Sequence, residues 1–138
     1  MSDSEPRHDD PRPLSIPVRG AVAVVLSVGV NLGLLQAGTT LGIAPEFQAL
    51  SVPPVAFLSV FGASCATAVY WLLDRYARRP RRTFLRVAMM VLALSFLPSI
   101  ALHLIDPNAT VPGVAVLLIM HVTVAAASVG PLVYWRER

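Results

Sequence analysis

The run GAVAVVLSVGVNLGLLQAGTTL, residues 20–41, holds 22 consecutive residues without a charge. At 1.5 Å per residue a helix of that length reaches about 33 Å, enough to cross a hydrocarbon core of about 30 Å. Backbone N–H and C=O groups in lipid must pair within their own segment, so the run reads as a transmembrane helix rather than a buried strand. It is too long for the apolar region of a secretory signal, and no clear A-x-A site follows it. We expect an uncleaved first span.

Three further stretches have the same character, at about 52–73, 83–105 and 111–135. The second opens on Pro53 and Pro54 and the fourth carries Pro112 near its start, both suited to a first helical turn. Composition agrees. Of 138 residues, 55% are hydrophobic and 14% charged, with mean hydropathy +0.65. Soluble domains carry about 25% charged residues, so most of this chain has no charged face to show to water. The expected fold is all-α: a four-helix transmembrane bundle in an up-down topology, formed by residues 18–138 as one domain. Residues 1–17, polar and interrupted by Pro6, Pro11, Pro13 and Pro17, cannot bury enough apolar surface to fold and read as a disordered tail.

Arginine counting orients the bundle. All 11 basic residues are arginines. Arg7, Arg12 and Arg19 precede the first span. Arg75, Arg78, Arg79, Arg81, Arg82 and Arg86 flank the second connection, and Arg136 and Arg138 end the chain. The first and third connections carry only Glu46 and Asp106 as charges. The positive-inside rule then places both termini in the cytoplasm, in a cell membrane. Tyr70, Trp71, Tyr76, Phe84, Tyr134 and Trp135 sit near the same ends and read as interfacial anchors. The net charge of +3 therefore points to anionic lipid headgroups at the Arg75–Arg86 loop, and no nucleic-acid partner is expected. The first connection, 39–51, is half apolar and either lies on the outer surface or forms a partial lid.

Polar groups inside a span are costly unless paired, so function concentrates there. Counting about ten residues inward from the outer helix ends brings Asn31, Ser95 and His121 to one midplane layer, with Gly62, Ala63, Ser64 and Cys65 at that level on the second helix. Ser95, Ser99 and His103 recur at four-residue spacing, and His121, Ala125 and Ser128 form a second stripe. The GASCATA run, 62–68, lets helices approach closely. Candidate ligand or polar-layer residues are therefore His121, Asn31, Ser95, Ser99 and His103. His121 is either a proton acceptor or ligand contact, or a neutral histidine bonded to Asn31 or Ser95. His103 lies close to the outer surface, too shallow to share one upright haem with His121 of the same chain, though a dimer could supply a matching pair. Lone Cys65 excludes an intramolecular disulfide and a multi-cysteine metal site, and reads as packing. Asn108-Ala109-Thr110 fits a glycosylation acceptor, a pattern frequent by chance.

No catalytic motif, metal cluster or nucleotide loop is present in this reading, and no cofactor is implied. LSFLPSIAL at Leu94–Leu102, MHVTVAAASVG at Met120–Gly130 and the arginine loop resemble a family of four-helix membrane proteins whose domain has no assigned function and which is frequent in actinobacteria. The resemblance covers the spans from about Pro17 onward. It implies an integral membrane protein, supplies no activity, and places Ser95, Pro98 and His121 in the parts of the pattern that matter. The expected function is non-enzymatic: a bundle binding a partner or small lipophile, with a homo-oligomer possible. The alternatives are a haem- or quinone-binding redox subunit using His121, or a small dimeric transporter.

Overall fold

A computed structural model describes residues 14–135. Residues 1–13 of the expected tail, 1–17, and Arg136 and Arg138 lie outside the described residues. Within them the chain is all-helical, with α1 at Ile16–Thr40, α2 at Val52–Tyr76, α3 at Pro80–Ile105 and α4 at Val111–Val129. α4 continues through one π-helical turn, Gly130–Tyr134, to make a 24-residue apolar unit. All four helices are long and apolar enough to cross a membrane, which fits a multi-pass membrane protein.

Each helix carries proline in its first turn: Pro17, Pro53, Pro80 and Pro112. Proline fits there because the first helical N–H groups have no intrahelical acceptor. α1 starts four residues before the expected boundary, so Ile16 and Pro17 belong to the helix and not to the tail. α3 runs without interruption through Pro98. The π turn falls where Pro131 has no N–H to donate and its ring would crowd the carbonyl four residues back; widening the helix relieves the crowding.

α1 packs along α2 and α4, α3 packs on α4 and α2, and α1 and α3 hardly touch. The stripes that meet are small or polar. On α1 the buried residues Ala23, Ser27, Asn31 and Leu35 recur every four positions; on α2 Val55, Ser59 and Ala63 do the same. Gly20 marks the closest approach, since a Cβ there would collide with the Thr67 side chain. The large apolar side chains point outward instead, among them Val25 at 70% exposure and Leu104 at 80%. In water that arrangement would be inside out. In lipid it is expected, because tails solvate leucine and small residues let backbones pack.

Two apolar clusters close the ends of the bundle. One joins Leu35, Val55, Val114, Leu117 and Met120 with Phe47 and Leu50 of the first connection. The other joins Tyr70, Phe84, Leu132 and Val133 beside the arginine-rich second connection. The first connection is therefore not a surface strap. Its 3₁₀ turn, Gln48–Leu50, follows a fully seated Phe47, and together they plug that end. Gly113 makes room for the plug: a Cβ there would lie 2.7 Å from the Cβ of Ala44.

Candidate functional site

Between the two clusters, α2, α3 and α4 diverge around a cleft of about 360 Å³. Its walls are apolar, including Leu58, Phe61, Val91, Leu92 and Val124. Five polar side chains reach it: Asn31, Ser59, Ser95, His121 and Ser128. Eight residues of α2 line the cleft between Val55 and Val69, a length of about 21 Å at the helical rise.

The cleft brings three of the five sequence candidates together. Asn31, Ser95 and His121 all line it, whereas Ser99 and His103 do not. Ser99 is buried and donates to the Ser95 carbonyl one turn back, 3.2 Å away. His103 binds the Ala109 carbonyl through Nδ1 at 2.6 Å and so ties the end of α3 to the third connection. Nothing places the two histidines on a common ligand.

Asn31 is only 3% exposed. Its Nδ2 donates to Ser59 Oγ at 2.9 Å, and Ser59 in turn donates to the Val55 carbonyl at 2.7 Å. Its Oδ1 is buried and has no partner. The sequence count aligned Asn31 with Gly62–Cys65; the structure pairs it with Ser59, about one turn away, because the helices do not enter the layer at equal depth. One of the two readings of His121 has it bonded to Asn31 or Ser95. Its Nδ1 lies 2.7 Å from the carbonyl of Leu117, one turn back on α4, so this bond holds no helices together. Ser95 likewise donates within its own helix, to Leu92 at 2.7 Å. Ser27 and Ser128 are buried with no partner for their hydroxyls. Cys65, expected in packing, is exposed and lines the cleft.

The pattern that defines the Family of unknown function (DUF6069) matches residues 11–138. The chain belongs to that family. No curated protein and no solved structure matches it. The region shared with DUF6069 takes in every helix, both end clusters and all the cleft residues.

The arginine-rich end of this DUF6069 chain has features that sequence reading missed. Arg19, expected only to set topology, is buried. Its Nε donates to the Pro131 carbonyl at 3.0 Å, and its guanidinium stands 5.3 Å from the Tyr70 ring centre. A cation at the last carbonyls of a helix meets the negative end of its dipole. Arg75 and Arg81 stack similarly on Trp71 and Tyr134. A second cavity of about 410 Å³ lies here, lined by Tyr70, Arg79, Pro80, Arg81 and Arg82. At the other end, Thr110 of the glycosylation-like triplet caps α4 by accepting from the Gly113 N–H at 3.3 Å. Among the described residues no group of three His, Cys, Asp or Glu side chains is placed to hold a metal ion.

Proposed function

We propose that this chain is a non-enzymatic, up-down four-span protein of the cell membrane that holds a small lipophilic molecule in the cleft between α2, α3 and α4. Both termini are placed in the cytoplasm. The orientation rests on the arginine count, and it is supported by the gathering of Arg19, Arg75, Arg79, Arg81 and Arg82 around one end cluster. That end faces anionic headgroups in this reading.

The single observation that carries the binding role is a cleft of about 360 Å³ lined by Asn31, whose buried Oδ1 has no partner. An orphaned amide oxygen costs stability, roughly 1–3 kcal/mol for a buried acceptor. A bound molecule that pairs it would repay that cost. The apolar walls suit a ligand that arrives from the bilayer.

The test is native mass spectrometry and an absorption spectrum of protein purified in mild detergent, wild type beside His121→Ala. A co-purified lipophile that is lost in His121→Ala supports the reading. Wild-type protein that carries nothing, and takes up nothing from added membrane lipid extract, sinks it.

A further inference from the structure

We infer that the ligand of the cleft carries a neutral hydrogen-bond donor, a hydroxyl, on an apolar chain. This rests on reading the cleft as a ligand site, and it adds the chemistry of the group recognised. The argument is an inventory of donors and acceptors at the midplane.

A carbonyl oxygen only accepts, so the 2.7 Å contact between His121 Nδ1 and Leu117 O fixes the ring proton on Nδ1. In the neutral imidazole Nε2 then presents a bare lone pair, and it has no partner among the described residues. Asn31 Nδ2 is spent on Ser59, and the Ser59 and Ser95 hydroxyl protons are spent on the carbonyls of Val55 and Leu92. Two acceptors are left over at this level, Asn31 Oδ1 and His121 Nε2. A ligand that brings only acceptors would set lone pair against lone pair. One that brings an O–H pairs one of these acceptors, and a diol could pair both. The same reasoning separates a quinone, whose carbonyls only accept, from its reduced diol, which donates.

Charge is excluded by the walls. An ammonium or carboxylate among Leu58, Phe61, Val91 and Val124 would be desolvated with no counter-charge on any lining residue. The length of the cleft, about 21 Å along α2, suits a chain lying parallel to the helices. Ser128 is the cleft hydroxyl without a committed partner, and it lies about 10 Å along α4 from His121. It is too far to serve the same head.

Aliphatic alcohols and phenols share this chemistry, and matched ethers lack it. The experiment measures binding of dodecanol and para-dodecylphenol to the full chain in lipid nanodiscs, each against its methyl ether. The readout is displacement titration followed by native mass spectrometry. We expect one hydroxyl compound per chain, at least tenfold tighter than its ether, with the alcohol and phenol arms showing which source fits. In His121→Phe and in Asn31→Leu the preference should fall to about twofold or less, with thermal unfolding used to check that each variant is folded. Saturable binding of ethers and hydroxyl compounds with equal affinity would overturn the inference while leaving the cleft as a lipophile site. Absence of binding by all four compounds would overturn the cleft reading, and this inference with it. The wild-type comparison decides between these outcomes even if both variants misfold.

Discussion

At the scale of single residues, the polar groups fall into two sorts. Thr67 and Thr123 donate to carbonyls one turn back and spend their hydrogen bonds inside their own helices. Such groups cost little in lipid because nothing is left unpaired. Arg19 and Asn31 instead reach across to another helix. For Arg19 the consequence is direct: Arg19→Leu should remove the donor to the Pro131 carbonyl and the cation beside Tyr70. A loss of about 1–3 kcal/mol is expected, read as an earlier midpoint in unfolding by sodium dodecyl sulfate. Arg19→Lys should recover only part of it, because an ammonium lacks the planar stack on the ring. Full stability in Arg19→Leu would mean that the guanidinium contributes topology alone. The sequence showed this arginine beside a span but could not reveal which carbonyl lay opposite, since that depends on where α4 ends. Ser59 went unnoticed for a related reason. Counting depth from helix ends assumes equal entry levels, and a three-residue error moves the predicted partner almost one turn along the helix.

At the scale of elements, the helices were legible and the joints were not. Apolar runs of twenty or more residues, each opened by a proline, leave one structural answer in lipid. Which faces meet is a different question, because outward leucines and inward serines do not announce themselves by hydrophobicity. The small residues do. Gly20 and Gly33 both lie on α1, but only Gly20 has a neighbour where its Cβ would stand. Gly20→Leu should therefore push α1 off Thr67 and cost about 1–3 kcal/mol, whereas Gly33→Leu should be close to neutral. Equal effects in the same unfolding assay would show that glycine matters here for backbone entropy and not for the α1–α2 contact. The first connection was the least legible element. Its half-apolar composition left surface and lid open, and the seating of Phe47 against Gly113 could not be read from spacing. Phe47→Ala should empty the plug and cost about 3 kcal/mol, the usual range for a buried phenylalanine. Deuterium uptake at the starts of α2 and α4 should rise with it. An unchanged uptake would mean that the plug rides on the bundle without closing it.

At the scale of the whole molecule, the two end clusters and the layer between them form one design. Apolar contacts close the ends, small residues hold α1 against α2 and α4, and the space left where α3 splays becomes the cleft. α3 contributes only Phe84 and Ser99 to the buried set, so it is the helix whose displacement costs least and the natural side for entry from lipid. Everything then depends on how the molecule stands in the bilayer, because the arginine-rich end and the plugged end meet different solutions. In a Cys65→Ser background, Glu46→Cys and Arg78→Cys place single thiols at exposed positions on either side of α2. A membrane-impermeant maleimide added to intact cells should label Glu46→Cys at once and Arg78→Cys only after permeabilisation. The reverse pattern would invert the molecule and send the arginines outward, against the charge rule. Labelling of both without permeabilisation would do more: it would put the two ends of α2 on one side, so that α2 could not be a span and the cleft it lines could not lie within the bilayer.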